Sequence, residues 1–137
     1  MGVLMHRRAS VLIVALAIAT AGVGCSESQS DTKALCDSKD KFVASVQSLK
    51  DVDVVQEGTS AVRSAVERVQ ADGRAFMNEA KSRYGNEVED LRVSLSKLGT
   101  ALKQVESDGI EPVAGAAAVV QTSASTLIDE VQAGDCS

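Results

Sequence analysis

Six apolar residues, Val88, Leu91, Leu95, Leu98, Leu102 and Val105, follow one another at alternating steps of three and four. That spacing matches the 3.6-residue repeat of a helix and excludes a half-buried strand, whose apolar positions alternate. The same rhythm recurs three more times. It runs through Leu35, Phe42, Val46 and Leu49, and through Val55, Val62, Val66, Val69, Gly73, Phe76 and Ala80. It returns in Val113, Ala117, Val120, Ala124, Leu127 and Val131. Each stretch carries one apolar stripe on a remainder of Ser, Gln, Lys, Asp and Glu. A lone helix has nothing to hide such a stripe against, so the four must pack on one another. The expected fold is all-α, an antiparallel bundle of about four amphipathic helices.

The punctuation between the stripes gives the boundaries. Asp31 is placed to cap the first helix, and Asp53 with Gln56 spells a capping box for the second. Gly85 suits a left-handed close to the second helix, and Asn86 with Glu89 suits an immediate start of the third. Asp108-Gly109 breaks the chain again, and Pro112, the only proline, fits the first turn of the fourth. The helices are therefore expected near 31–49, 54–84, 87–106 and 112–132. Gly73, Gly99 and Gly115 fall inside them, where a glycine costs about 1 kcal/mol relative to alanine. Close helix packing is the reading for all three, with a kink at Gly73 as its rival. Gly115 opens a small-residue face continued by Ala116, Ala117 and Ala118.

Residues 1–24 read as an export signal outside the fold. Arg7 and Arg8 precede an apolar run, Val11–Ala21, too short for the roughly 20 residues a membrane span needs. Small residues and Cys25 follow. Ala19-Thr20-Ala21 fits a cut before Gly22, leaving a freely secreted protein with Cys25 unpaired or bridged to a partner. The other reading cuts before Cys25. There Ala21-Gly22-Val23-Gly24-Cys25 resembles a bacterial lipoprotein signal, with Gly22 standing where that pattern usually has an aliphatic residue. The resemblance is confined to the first 25 residues. It implies a lipid on Cys25 and a place on the outer face of the cell membrane, and the chain is similar in style to the small Ala/Val-rich lipoproteins of actinobacterial envelopes. Residues 25–30 then read as a polar tether, about 20 Å long when extended, before a bundle domain at 31–137. Arg7-Arg8 also touches the twin-arginine pattern, but Ser10 replaces its large apolar residue, and an ordinary positive start explains the pair.

The three cysteines are Cys25, Cys36 and Cys136. Outside the cytoplasm disulfides persist, and lipid on Cys25 would leave Cys36 and Cys136 to pair. Topology agrees, because an even number of antiparallel helices returns the chain to the end where it began. A bridge closing about 100 residues stabilises a fold by about 4–5 kcal/mol on a chain-entropy view. Against a typical net stability of about 5–15 kcal/mol, that is a large share for a Val- and Ala-rich core.

The side chains offer little chemistry. Lys and Arg number 14 against 19 Asp and Glu, a net charge of −5, and two of the basic residues lie in the signal. That balance, with aromatics at 2%, argues against binding nucleic acid or an anionic membrane surface. The single histidine, His6, also lies in the signal, so no imidazole serves a nucleophile. Ser38-x-x-Lys41 and Ser94-x-x-Lys97 match the Ser-x-x-Lys spelling of penicillin-interacting enzymes, yet both read as solvated helix surface. Glu87, Glu89 and Asp90 cluster where a helix start favours carboxylates, which accounts for them without a metal. Met77 reads as core, and Tyr84 as packed with its hydroxyl in water. No catalytic residue, metal or cofactor is expected.

Two function classes remain. The first is a non-catalytic module of the cell envelope, tethered to the membrane through Cys25 and serving a structural or interaction role with another envelope protein. The alternative is a carrier that binds an apolar small molecule or lipid between the helices, suggested by the small-residue fourth helix facing stripes of Val and Leu.

Overall fold

The computed structural model describes the backbone of residues 23–137 and the side chains from Gln29 onward. The export-signal reading of residues 1–22 and the thiol of Cys25 lie outside the described residues. Five helices follow in order: α1 (Val23–Asp51), α2 (Val54–Ala80), α3 (Gly85–Lys103), the single turn α4 (Val105–Asp108) and α5 (Glu111–Gly134). The bundle is all-α, as the periodicity requires.

Helix starts and stops follow local chemistry, with some departures from expectation. Asp53 caps α2, its Oδ1 accepting from the Val55 N–H at 2.9 Å and the Gln56 N–H at 3.2 Å. Gly109 ends α4 in a conformation open only to glycine (φ 78°, ψ −167°), and Pro112 sits in the first turn of α5. The first helix, however, begins at Val23 instead of residue 31, and Asp31 is interior. Nothing between Cys25 and Ser30 is a Gly or Pro that would stop a helix. Those six residues are therefore helical, spanning about 9 Å where an extended tether would span about 20 Å. Gly85 does not close α2 in a left-handed turn; it opens α3, whose cap position is Tyr84, and no side chain caps that end.

Two hairpins build the body. α1 packs along α2, α3 packs along α5, and α2 against α3 joins the pair. α1 and α5 share only a narrow contact. The buried stripe is nearly the one the spacing predicts. All six of the α3–α4 residues from Val88 to Val105 are buried, as are Val62, Val66, Val69, Phe76 and Ala80 in α2. In α5 the buried residues Val113, Val120, Ala124, Leu127 and Val131 continue it. Val46, Leu49 and Ala117 are only half-buried, and Val55 is 95% exposed. Gly58 (φ 75°, ψ −179°) breaks α2 after its first turn, so the stripe beyond it does not extend back to Val55.

Close approach at Gly73 explains that glycine. A Cβ there would lie 2.7 Å from Leu95 Cδ1 and 3.1 Å from Phe42 Cε2, so α1, α2 and α3 meet where α2 has no side chain. The Phe42 and Phe76 rings pack 5.8 Å apart beside this junction, and both are fully buried. A Cβ on Gly99 would collide with the Gln70 amide, again a packing role. Gly115 differs: nothing lies within 4 Å of its added Cβ, so close packing does not account for it.

Candidate functional site

With α4 only a single turn, the four long helices return the chain to its starting end and bring the two cysteines together. Cys36 in α1 and Cys136 beyond α5 form a disulfide with their Cα atoms 5.7 Å apart. Polar contacts gather around it. Lys39, mostly buried, donates from Nζ to Gln132 Oε1 at 2.6 Å and lies 3.1 Å from Asp40 Oδ1. Asp135 receives the Arg83 guanidinium and, at 2.8 Å, the Tyr84 hydroxyl, so the α2–α3 turn is fastened to the chain's last residues. Tyr84 is thus engaged by a carboxylate instead of by water alone. That hydrogen bond above all, with burial second, raises its pKa above the ordinary 10.0, because losing the proton would leave two anions facing each other.

The residues singled out for chemistry are spread apart or tied down. Ser94 is not on a solvated face: it is buried, donating to the Leu91 carbonyl of its own helix at 2.9 Å. Ser38 does the same with the Leu35 carbonyl at 2.9 Å. Their i+3 lysines, Lys41 and Lys97, are exposed; Ser94 and Lys97 share the lining of an open surface hollow, where a solvated amine is not made a base. Glu89 pairs with Arg92 at 3.4 Å, and among the described residues no three His, Cys, Asp or Glu side chains gather as a metal site. Met77 is core. Among the described residues no helix is long and apolar enough to cross a membrane.

A largely apolar recess lies at the other end of the bundle, where α1 and α5 stand apart. This cleft encloses about 400 Å³ and opens to solvent. Val46 and Leu49 of α1 with Val52 just beyond it form one wall, Val54, Val62 and Val69 of α2 the floor, and Ile110 with Val113, Ala117 and Val120 of α5 the other wall. Lys50 and Gln121 are the only lining residues with polar side chains. Ala114, Ala117 and Ala118 of α5 keep that wall low. Val52 and Ile110 at the turns, with Val54 opening α2, lie outside the periodic stripes. Their signal is apolar character placed beside Asp53 and Gly109, where turns are ordinarily polar.

Comparison of the chain with protein-family models, with curated proteins and with solved structures found no match.

Proposed function

We propose that this protein is a non-catalytic binding module of the cell envelope, tethered through Cys25, which carries an apolar small molecule or lipid chain in the cleft between α1 and α5. The cleft is the observation that supports this reading. Its volume of about 400 Å³ falls within the roughly 300–1,000 Å³ typical of small-molecule sites. Its walls are Val, Leu, Ile and Ala, and each square ångström of such surface covered by hydrocarbon contributes about 25 cal/mol. The non-catalytic half of the reading rests on the serines, whose hydroxyls are spent on their own helices.

Organic extraction of the purified, oxidised protein followed by mass spectrometry is expected to release a stoichiometric apolar compound. Ala117→Phe, which fills the cleft from the α5 wall, is expected to abolish it. Extracts empty of any such compound from both proteins would overturn the carrier reading. Tethering has a separate test: Cys25→Ala is expected to move the protein from the membrane fraction to the soluble exported fraction, and unchanged partitioning would refute the anchor.

A second reading, a docking site for another envelope protein, is favoured by Val55. Its side chain is 95% exposed, and it is the chain neighbour of Val54 in the cleft floor. In that case Val55→Asp would abolish crosslinking to a single envelope partner, while the extracts stay empty.

A further inference from the structure

The lining of the cleft also discriminates between kinds of apolar ligand. Resting on the reading of the cleft as a ligand site, we infer that it selects a single-chain amphiphile with an anionic head, the chain lying on the Val and Ala walls and the head at Lys50. Among the described residues that line the cleft, Lys50 is the sole ionisable one, and no carboxylate accompanies it. It stands in the last turn of α1, where the carbonyl end of the helix favours a positive charge. The two acidic residues nearest it in sequence have other donors. Asp51 receives the Gln47 amide at 3.1 Å, and Asp53 receives the Val55 N–H at 2.9 Å and the Gln56 N–H at 3.2 Å. Among the described residues Lys50 has no ion pair of its own.

From the other side of the cleft, Gln121 on α5 offers an amide, which donates to an oxyanion as readily as to water. Both residues are exposed, so they mark the solvent rim and not the floor. An apolar floor beneath a cationic rim fits a chain that ends in a carboxylate or phosphate. A neutral alcohol gains nothing from the charge. A quaternary ammonium head is repelled by it, and added salt weakens the selection.

The test uses the exported full chain carrying Cys25→Ala, so that no acyl group of its own competes. Palmitate, hexadecanol and hexadecyltrimethylammonium are titrated below their critical micelle or solubility limits, against this protein and against the same protein with Lys50→Glu. Palmitate is expected to bind one to one and about tenfold more tightly than the other two, the range expected for a charge-assisted contact at a solvated rim. Lys50→Glu is expected to weaken palmitate about tenfold and to leave hexadecanol unchanged, which a mere loss of folding would not do. If palmitate and hexadecanol bind equally, if the cation binds best, or if Lys50→Glu leaves palmitate unaffected, the head-group inference falls while the carrier reading stands. If no chain binds at all, both fall.

Discussion

The two ends of the bundle are built on opposite plans. At one, α1 and the tail of α5 are joined by the Cys36–Cys136 bridge, and Lys39–Gln132 and the Arg83 and Tyr84 contacts to Asp135 close the remaining gaps. At the other, the same two helices part around a cleft of Val, Leu and Ala, flanked by the turns at Val52–Asp53 and Gly109–Ile110. The first end is fixed by covalent and polar links; at the second apolar contact dominates, with the exposed Arg63–Glu106 ion pair between α2 and α4 beside it. A bundle with few large side chains has a limited amount of core to distribute. Locking one end covalently lets the other stay open without loss of the fold, because the bridge removes much of the unfolded chain's freedom.

The largest test of that contrast removes the bridge. Cys36→Ser with Cys136→Ser is expected to lower stability by about 4–5 kcal/mol in denaturant unfolding, given the sequence separation of 100 residues. Hydrogen exchange in that variant should speed up most around Gln132–Cys136 and least in the middle of α3. Uniform acceleration would show that the two ends are not independent. A smaller effect is expected from Tyr84→Phe, which removes a hydrogen bond worth about 1 kcal/mol at neutral pH. Because the folded state raises the Tyr84 pKa, its contribution is complete below the ordinary 10.0 and is lost as pH rises through the higher folded value. Wild type should therefore lose stability in that alkaline window more steeply than Tyr84→Phe; parallel pH curves would contradict the assignment. The smallest effect, and opposite in sign, belongs to Gly115→Ala on the exposed surface of α5, near the cleft end. With open space around the added Cβ, helix propensity alone should raise stability by about 0.5–1 kcal/mol, seen as a higher denaturant midpoint. A loss there would mean that this stretch of α5 packs more closely than the open space around Gly115 implies.

The fastened end was the more legible of the two in the sequence. The stripes of α3 and α5 gave the core almost residue by residue, and cysteine parity gave the bridge. What escaped was whatever depends on how helices meet instead of on how each repeats. Ser94 counted as polar surface because a periodicity argument prices a hydroxyl as wet, yet a serine satisfies itself on its own helix's i−3 carbonyl and can be buried. Val55 counted as core because the stripe was extended through Gly58, whose backbone turns the first four residues of α2 away from the register of the rest. Tyr84 and Asp135 lie far apart in sequence, and nothing local signals their contact. The cleft was visible only as a run of small residues on the fourth stripe. Whether such a run draws helices together or leaves a gap is decided by the neighbour, and here α1 keeps its distance from α5.

The Cys36–Cys136 bond also turns residues 36–136 into a covalent ring that takes in most of α1 and all of the other helices. A protease that nicks the α2–α3 turn or the Gly109 corner opens the ring without releasing a fragment, since both pieces stay linked through sulfur. A pull transmitted through the opening stretch of α1 ahead of Cys36 is passed on to that bond, which carries the strain before the rest of the bundle has to peel.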